Sequence, residues 1–264
     1  MTARRLGARV LGEVSSLLLG SGYRSGFRVL LYHSIGGAVA HDAYGISLDP
    51  ERFDRQLSLL RELPWVKFVP LQEARHDGSC LEMAVTFDDG FKDNLHKARP
   101  ILEKHGIPFT VFATVAFIQR NERDYLSASE LRELACMSSV TVGSHGVSHR
   151  PLERCDLMNL RRELCDSRKY LEDLLGKPVT TIAYPHGSVD GRVREEAGEA
   201  GYTLGVCSRF GINRPGTDRL LLRRTEIVAA DSERVFLQKV RGAWDWRQWV
   251  PRARPCIQEA DHVV

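Results

Sequence analysis

Short, continuous apolar runs alternate along this chain with stretches of helical, amphipathic spacing. The runs occupy residues 28–32, 83–87, 109–113, 140–143, 181–184 and 202–206. None alternates in polarity, so each is expected to be a strand covered on both faces, as in a parallel sheet. Between them, residues 50–63 place Phe53, Leu57 and Leu60 on one helical face. Residues 94–105 read as a helix stopped by Gly106 and Pro108. A third helix, 127–136, opens with Ser127 and Glu130 in the spacing of a capping box. A fourth, 156–175, lines up Leu157, Leu160, Leu164, Leu171 and Leu175, and a fifth, 191–200, ends at Gly201.

Strand–helix alternation of this kind predicts an α/β fold. No Pro/Gly/Ser-rich linker interrupts residues 28–249, so these are read as one domain. Ahead of it, residues 1–27 carry Leu6, Val10, Val14, Leu17 and Leu18 on one face of a short basic amphipathic helix. Arg9, Glu13, Ser15 and Ser16 break the apolar stretch, and no small-residue cleavage site follows, so the segment is a poor signal peptide. It either packs on the body or lies peripherally on a membrane. Residues 250–264, with Pro251 and Pro255, are read as a peripheral tail.

A length of 264 residues suits a single α/β barrel, which typically needs roughly 250. Such a chain buries enough surface to fold without a structural metal, so any metal needs a chemical reason. The six cysteines form no C-x-x-C pair and no disulfide-rich spacing, which reads as idle thiols of a reducing compartment. Net charge is +3, and residues 1–28 alone carry +4 through Arg4, Arg5, Arg9, Arg24 and Arg28 against Glu13. The remainder is therefore close to neutral, which argues against a nucleic-acid partner.

Chemistry concentrates at the carboxyl ends of the runs, where α/β folds place their active sites. One run ends in Asp88-Asp89-Gly90, another in Ser144-His145-Gly146-Val147-Ser148-His149, a third in Pro185-His186-Gly187, and the first delivers His33. Adjacent carboxylates at a strand end point in different directions and can take different tasks, although Asp-Gly is also common turn chemistry. One Asp with two His suits a divalent zinc ion, leaving positions for water and substrate. A water so held would ionise near neutral pH, and the second Asp could accept its proton.

Thr86-Phe87-Asp88-Asp89-Gly90 followed by Ser144-His145-x-x-x-His149 resembles the first two motifs of the NodB-type polysaccharide deacetylases, carbohydrate esterase family 4. Tyr184-Pro185-His186-Gly187 is similar to the third motif, and the similarity runs over about residues 28–240. The resemblance implies a distorted (β/α) barrel of about seven units. It also implies Asp89, His145 and His149 as ligands of one divalent metal, usually zinc. Asp88 would be the general base, with the backbone N–H of His186 helping to hold the oxyanion.

Two departures stand out. The family's late Leu-x-x-His acid motif is missing, and the one histidine after His186 is His262. Leu31-Tyr32-His33 instead resembles the early Tyr-His element of circularly permuted members that act on exopolysaccharides, which makes His33 the candidate acid, with the His186 imidazole as a second. The third motif also lacks its usual Arg. Arg224 is the candidate to orient the base, and Arg223 is its neighbouring alternative. Trp244, Trp246 and Trp249 either stack on sugar or, as large aromatics commonly do, pack against the body.

The function implied is metal-dependent removal of an N-acetyl group from an amino-sugar of a polysaccharide or glycan precursor. An O-acetyl esterase, another amide hydrolase or a non-catalytic carbohydrate-binding protein are the alternatives on this fold. The basic N-terminus suggests a cytoplasmic enzyme, peripheral on the inner membrane face, with periplasmic or secreted placement as the other reading.

Overall fold

Seven parallel strands form a nearly closed barrel, and hydrogen-bond register, more than any single contact, decides which residues meet at its mouth. The computed structural model describes residues 3–19, 25–37, 39, 42, 44–74 and 80–249. The strands are β1 Gly26–Tyr32, β2 Ser34–Ile35, β3 Ser47–Leu48, β4 Val66–Phe68, β5 Leu81–Phe87, β6 Phe109–Ala113, β7 Val140–Ser144, β8 Thr181–Ala183, β9 Leu204–Val206 and β10 Arg224–Glu226. The helices are α1 Ala3–Leu19, α2 Pro50–Arg61, α3 Arg99–Lys104, α4 Val115–Gln119, α5 Ala128–Ala135, α6 Leu157–Leu175, α7 Gly191–Glu199 and α8 Glu233–Arg241.

The barrel order is β10-β1-β5-β6-β7-β8-β9, with β4 added beside β5 and β2–β3 forming a separate small pair. Closure comes from the chain just before β10, where Leu222 bridges Val206 and the Arg224 amide donates to the Arg209 carbonyl. All seven residues of β1, all seven of β5 and all five of β6 are buried, which is why these runs carry no polar face. Alternate side chains fall into two cores. Leu30, Tyr32, Val85 and Phe87 pack with helix residues such as Phe53, Leu57 and Leu164. Phe27, Val29, Ala84, Phe112, Val206 and Leu222 form the second cluster, inside the strands.

Local chemistry explains the helix ends. Ser127 and Glu130 make both halves of the capping box, Asp156 caps α6, and Gly176 ends α6 in the left-handed conformation. The predicted 94–105 helix is instead a π-turn over Asn94–Ala98 followed by α3. Pro100 gives the reason: it has no N–H to donate and its ring crowds the preceding turn, and the wider register accommodates both. Leu157 is exposed in the first turn of α6, whereas Leu160, Leu164 and Leu171 are buried.

One further expectation changes. Arg28 belongs to no basic arm: it is fully buried on β1, where its guanidinium donates to both oxygens of Asp245 at 3.0 Å and to Thr225 at 2.8 Å. Trp244 is buried and Trp246 packs in the same cluster, while Trp249 is 79% exposed. All three flank Asp245, near the start of β1 and away from the strand ends that carry Asp88, so they do not line that mouth. Cys80, Cys136, Cys155, Cys165 and Cys207 are free thiols, and Cys256 lies outside the described residues, as does the 250–264 tail. Among the described residues no helix is long and apolar enough to cross a membrane.

The α5 cap yields a first prediction. Burial would raise the Glu130 carboxyl, but Ser127, His96 and Lys92 outweigh it and pull it down to about 2. Ser127→Ala should lower unfolding free energy in urea by about 1 kcal/mol at neutral pH. A carboxyl depressed in the folded state stabilises above its unfolded value of about 4.3 and ceases to do so as pH falls toward the folded value. The stability gap between wild type and Glu130→Gln should therefore be full at pH 6 (roughly two units above that value) and shrink on acidification. A gap that is constant with pH would refute the assignment.

Candidate active site

Parallel pairing aligns the carboxyl ends of the strands. Tyr32 lies opposite Phe87, Ala113 opposite Ser144, and Ser144 opposite Ile182. The residues that follow these positions are His33, Asp88, Thr114, His145 and Ala183, so side chains far apart in sequence are delivered to one rim.

Asp88 and Asp89 diverge as their adjacency predicts. The Asp88 carboxylate accepts two hydrogen bonds from Arg224, from Nη1 at 2.7 Å and Nη2 at 2.6 Å. The guanidinium is itself buried, donates through Nε to the Cys207 carbonyl and lies 5.9 Å over the Phe112 ring. Burial alone would raise the Asp88 carboxyl. The Arg224 charge, helped by His145 and His33, overcomes that and holds it below the ordinary carboxylate range. Arg223, one residue earlier, turns away to Gln248.

Asp89 takes a left-handed backbone (φ 71°), which turns its carboxylate from Arg224 toward the histidines. Its Oδ1 lies 3.3 Å from His145 Nε2 and 3.0 Å from His149 Nε2. These three ligand atoms converge within 4.8 Å, yet Asp89 Oδ1 is buried and accepts no hydrogen bond. His145 Nδ1 faces the Ala183 carbonyl at 2.7 Å, and a carbonyl only accepts, so Nδ1 carries the proton and the Nε2 lone pair faces Asp89. A buried carboxylate oxygen without a donor, beside two imidazole nitrogens of which one is fixed in the ligating tautomer, fits a divalent ion such as zinc.

His186 also has positive φ (57°), and its ring stands 4.5 Å from that of His149. Its Nε2 donates to the His149 carbonyl at 3.0 Å. Burial, then the neighbouring His149, push its imidazole down to about 4, so it is neutral near pH 7. His33 sits close enough to lower both aspartates electrostatically, and its Nδ1 is buried with no protein partner. All the site residues singled out in the sequence, Asp88, Asp89, His145, His149, His186, His33 and Arg224, therefore gather at one rim.

Glu163 was not anticipated. From α6 its Oε2 accepts the consecutive amides of Val147 (2.7 Å) and Ser148 (3.0 Å), and its Oε1 accepts the Ser148 hydroxyl. It thereby pins the loop that carries both histidines. Glu163 lies on the same helical stripe as Leu160, Leu164 and Leu171, and an acid on a buried stripe was the available signal. Phe117 and Tyr125, with ring centroids 4.2 Å apart and planes tilted by 35°, form one wall beside His149 and were likewise unforeseen.

Residues 76–205 match the polysaccharide deacetylase family. YxkH of Bacillus subtilis, which bears a polysaccharide deacetylase name, is 24% identical over 215 residues, covering 79% of this chain and 74% of its own. The fold is shared with the deacetylase PplD of Streptococcus pyogenes, solved with acetate, at a TM-score of 0.72 and 24% identity over 82% of this chain and 99% of that one. A polysaccharide deacetylase of Bacillus cereus, BC0361, superposes with a TM-score of 0.71 at 26% identity, over 82% of this chain and 69% of that one.

Two substitutions probe this arrangement. Arg224→Met leaves the buried Asp88 charge unpaired and should lower stability by about 3–5 kcal/mol, read by urea unfolding. Glu163→Gln keeps the packing but weakens acceptance of the two amides. Zinc affinity, measured by competition with a chromophoric chelator, should fall about 10- to 100-fold with the fold intact. Unchanged affinity would remove Glu163 from the support of the histidine loop.

Proposed function

We propose, from the premise that residues 76–205 belong to the polysaccharide deacetylase family, that this protein is a metal-dependent hydrolase removing N-acetyl groups from amino-sugar residues of a glycan. The observation that carries this reading is the convergence of Asp89, His145 and His149 beside a second carboxylate, Asp88, that Arg224 holds apart from them.

Asp89 Oδ1, His145 Nε2 and His149 Nε2 would hold the ion. When bound, it supplies Lewis-acid polarisation of the acetamide carbonyl and lowers the pKa of water. Asp88, kept ionised and oriented by the two Arg224 bonds, accepts the proton of the attacking water. The backbone N–H of His186 is assigned to the oxyanion that develops on the acetyl oxygen. The carbon–nitrogen bond then breaks to release acetate, and the amine leaves with a proton from His33. His186 Nε2 is already committed to the His149 carbonyl, whereas His33 Nδ1 is buried without a protein partner, which favours His33 as that donor.

Elemental analysis should find about one zinc per wild-type chain and none in Asp89→Ala. Asp88→Asn should retain zinc while acetate release from N-acetylhexosamine oligomers falls by about 10²–10⁴-fold. His33→Ala should lose turnover with little change in zinc content. A wild-type protein that retains no metal after zinc soaking sinks the catalytic reading. Faster acetate release from O-acetylated than from N-acetylated oligomers would replace the amide assignment with an ester one.

A further inference from the structure

Helix α1 packs the wrong way round for a helix of a globular body. Surface helices ordinarily turn their apolar stripe inward. Here Val10 (55% exposed), Leu11 (53%), Val14 (49%) and Leu17 (80%) face outward. They follow i, i+1, i+4, i+7 spacing, which makes them one contiguous stripe on a helix of 17 residues, about 25 Å long. The inward face is made of small and polar residues. Gly12 meets the Trp244 indole so closely that a Cβ would lie 2.8 Å from it, and Glu13 pairs with Arg234 of α8. The orientation is therefore built in: only a residue without a side chain allows this approach, and Val10, Leu11, Val14 and Leu17 are left outside.

The charge on the helix identifies what the stripe meets. Residues 3–19 contain Arg4, Arg5 and Arg9 and the single acid Glu13, which Arg234 already neutralises. No acidic residue occupies the first turn. Arginines there oppose the positive end of the helix dipole, so they do not serve the helix itself. An anionic surface outside the molecule complements that net positive charge. A second copy of the chain would bring the same positive charge to the contact, whereas an anionic lipid surface supplies both the counter-charge and an apolar layer for the stripe.

We propose that α1 is an interfacial docking helix: Val10, Leu11, Val14 and Leu17 enter the acyl boundary of an anionic bilayer while the arginines meet its headgroups. The helix lies on the surface and holds the barrel there through Gly12–Trp244 and Glu13–Arg234. This inference does not depend on the hydrolase reading.

Sedimentation of the full chain with vesicles tests it. The protein should pellet with vesicles of mixed phosphatidylcholine and phosphatidylglycerol and remain in the supernatant with phosphatidylcholine alone, and raised salt should weaken binding. Val14→Ser/Leu17→Ser should reduce partitioning by about tenfold per side chain. Arg4→Gln/Arg5→Gln/Arg9→Gln should abolish the preference for anionic vesicles. An unchanged melting temperature and far-UV circular dichroism spectrum confirm that the variants fold. No pelleting with anionic vesicles, or pelleting that the serine variant leaves intact, overturns the proposal. So does a wild-type dimer in sedimentation equilibrium that the serine variant abolishes without any lipid binding.

Discussion

The buried pair between Asp88 and Arg224 is the interaction on which the rest of the mouth depends. It joins the end of β5 to the first residue of β10, the two strands that flank β1. Two charges taken from water at this depth gain little net stability unless both are fully hydrogen-bonded, and these are, through a bidentate contact and the Cys207 carbonyl. The pair also separates the roles of two adjacent carboxylates. With Arg224 committed to Asp88, the ion-pairing groups that reach Asp89 among the described residues are the imidazoles of His145 and His149. Asp89 Oδ1 is therefore left facing two imidazole nitrogens, one of them fixed in its ligating tautomer, a set of groups suited to a metal ion.

Support for that set comes from backbone more than from side chains. Asp89, His149 and His186 all adopt positive φ, uncommon for residues with a Cβ. Such conformations persist where the surroundings over-determine them. The Ala183 carbonyl on His145, the Glu163 carboxylate under the His145–His149 loop and the tight packing of Gly90 against Ala113 supply that constraint.

Much of this was visible in the residues themselves. Continuous apolar runs identified six of the seven barrel strands because burial on both faces leaves no room for alternation. The Ser127 capping box is present as the spacing predicted, and the strand-end clusters are placed at one rim. What escaped reading depends on partners distant in sequence. Arg28 looked like part of a basic arm because nothing nearby announces Asp245, 217 residues on. Strand β10 is three residues long and carries arginine, so its apolar signal is weak although its neighbour β1 is entirely buried. Of the outward stripe on α1, Val10, Val14 and Leu17 were recognised and Leu11 was not, while the side chains of Leu6 and Leu18 lie outside the description; periodicity tells which residues share a face and not which way that face turns.

The position of Arg224 has a consequence for how the protein is made. Asp88 leaves the ribosome 136 residues ahead of its counter-charge. At synthesis rates of about 5–20 residues per second, that is a delay of roughly 7–27 s. Throughout it β5 can pair with β1 and β6, but the carboxylate at its tip has no cation and cannot be withdrawn from water. The mouth of the barrel can therefore bury this carboxylate only after β10 has been made, when the strands of the rest of the wall are already available to pair.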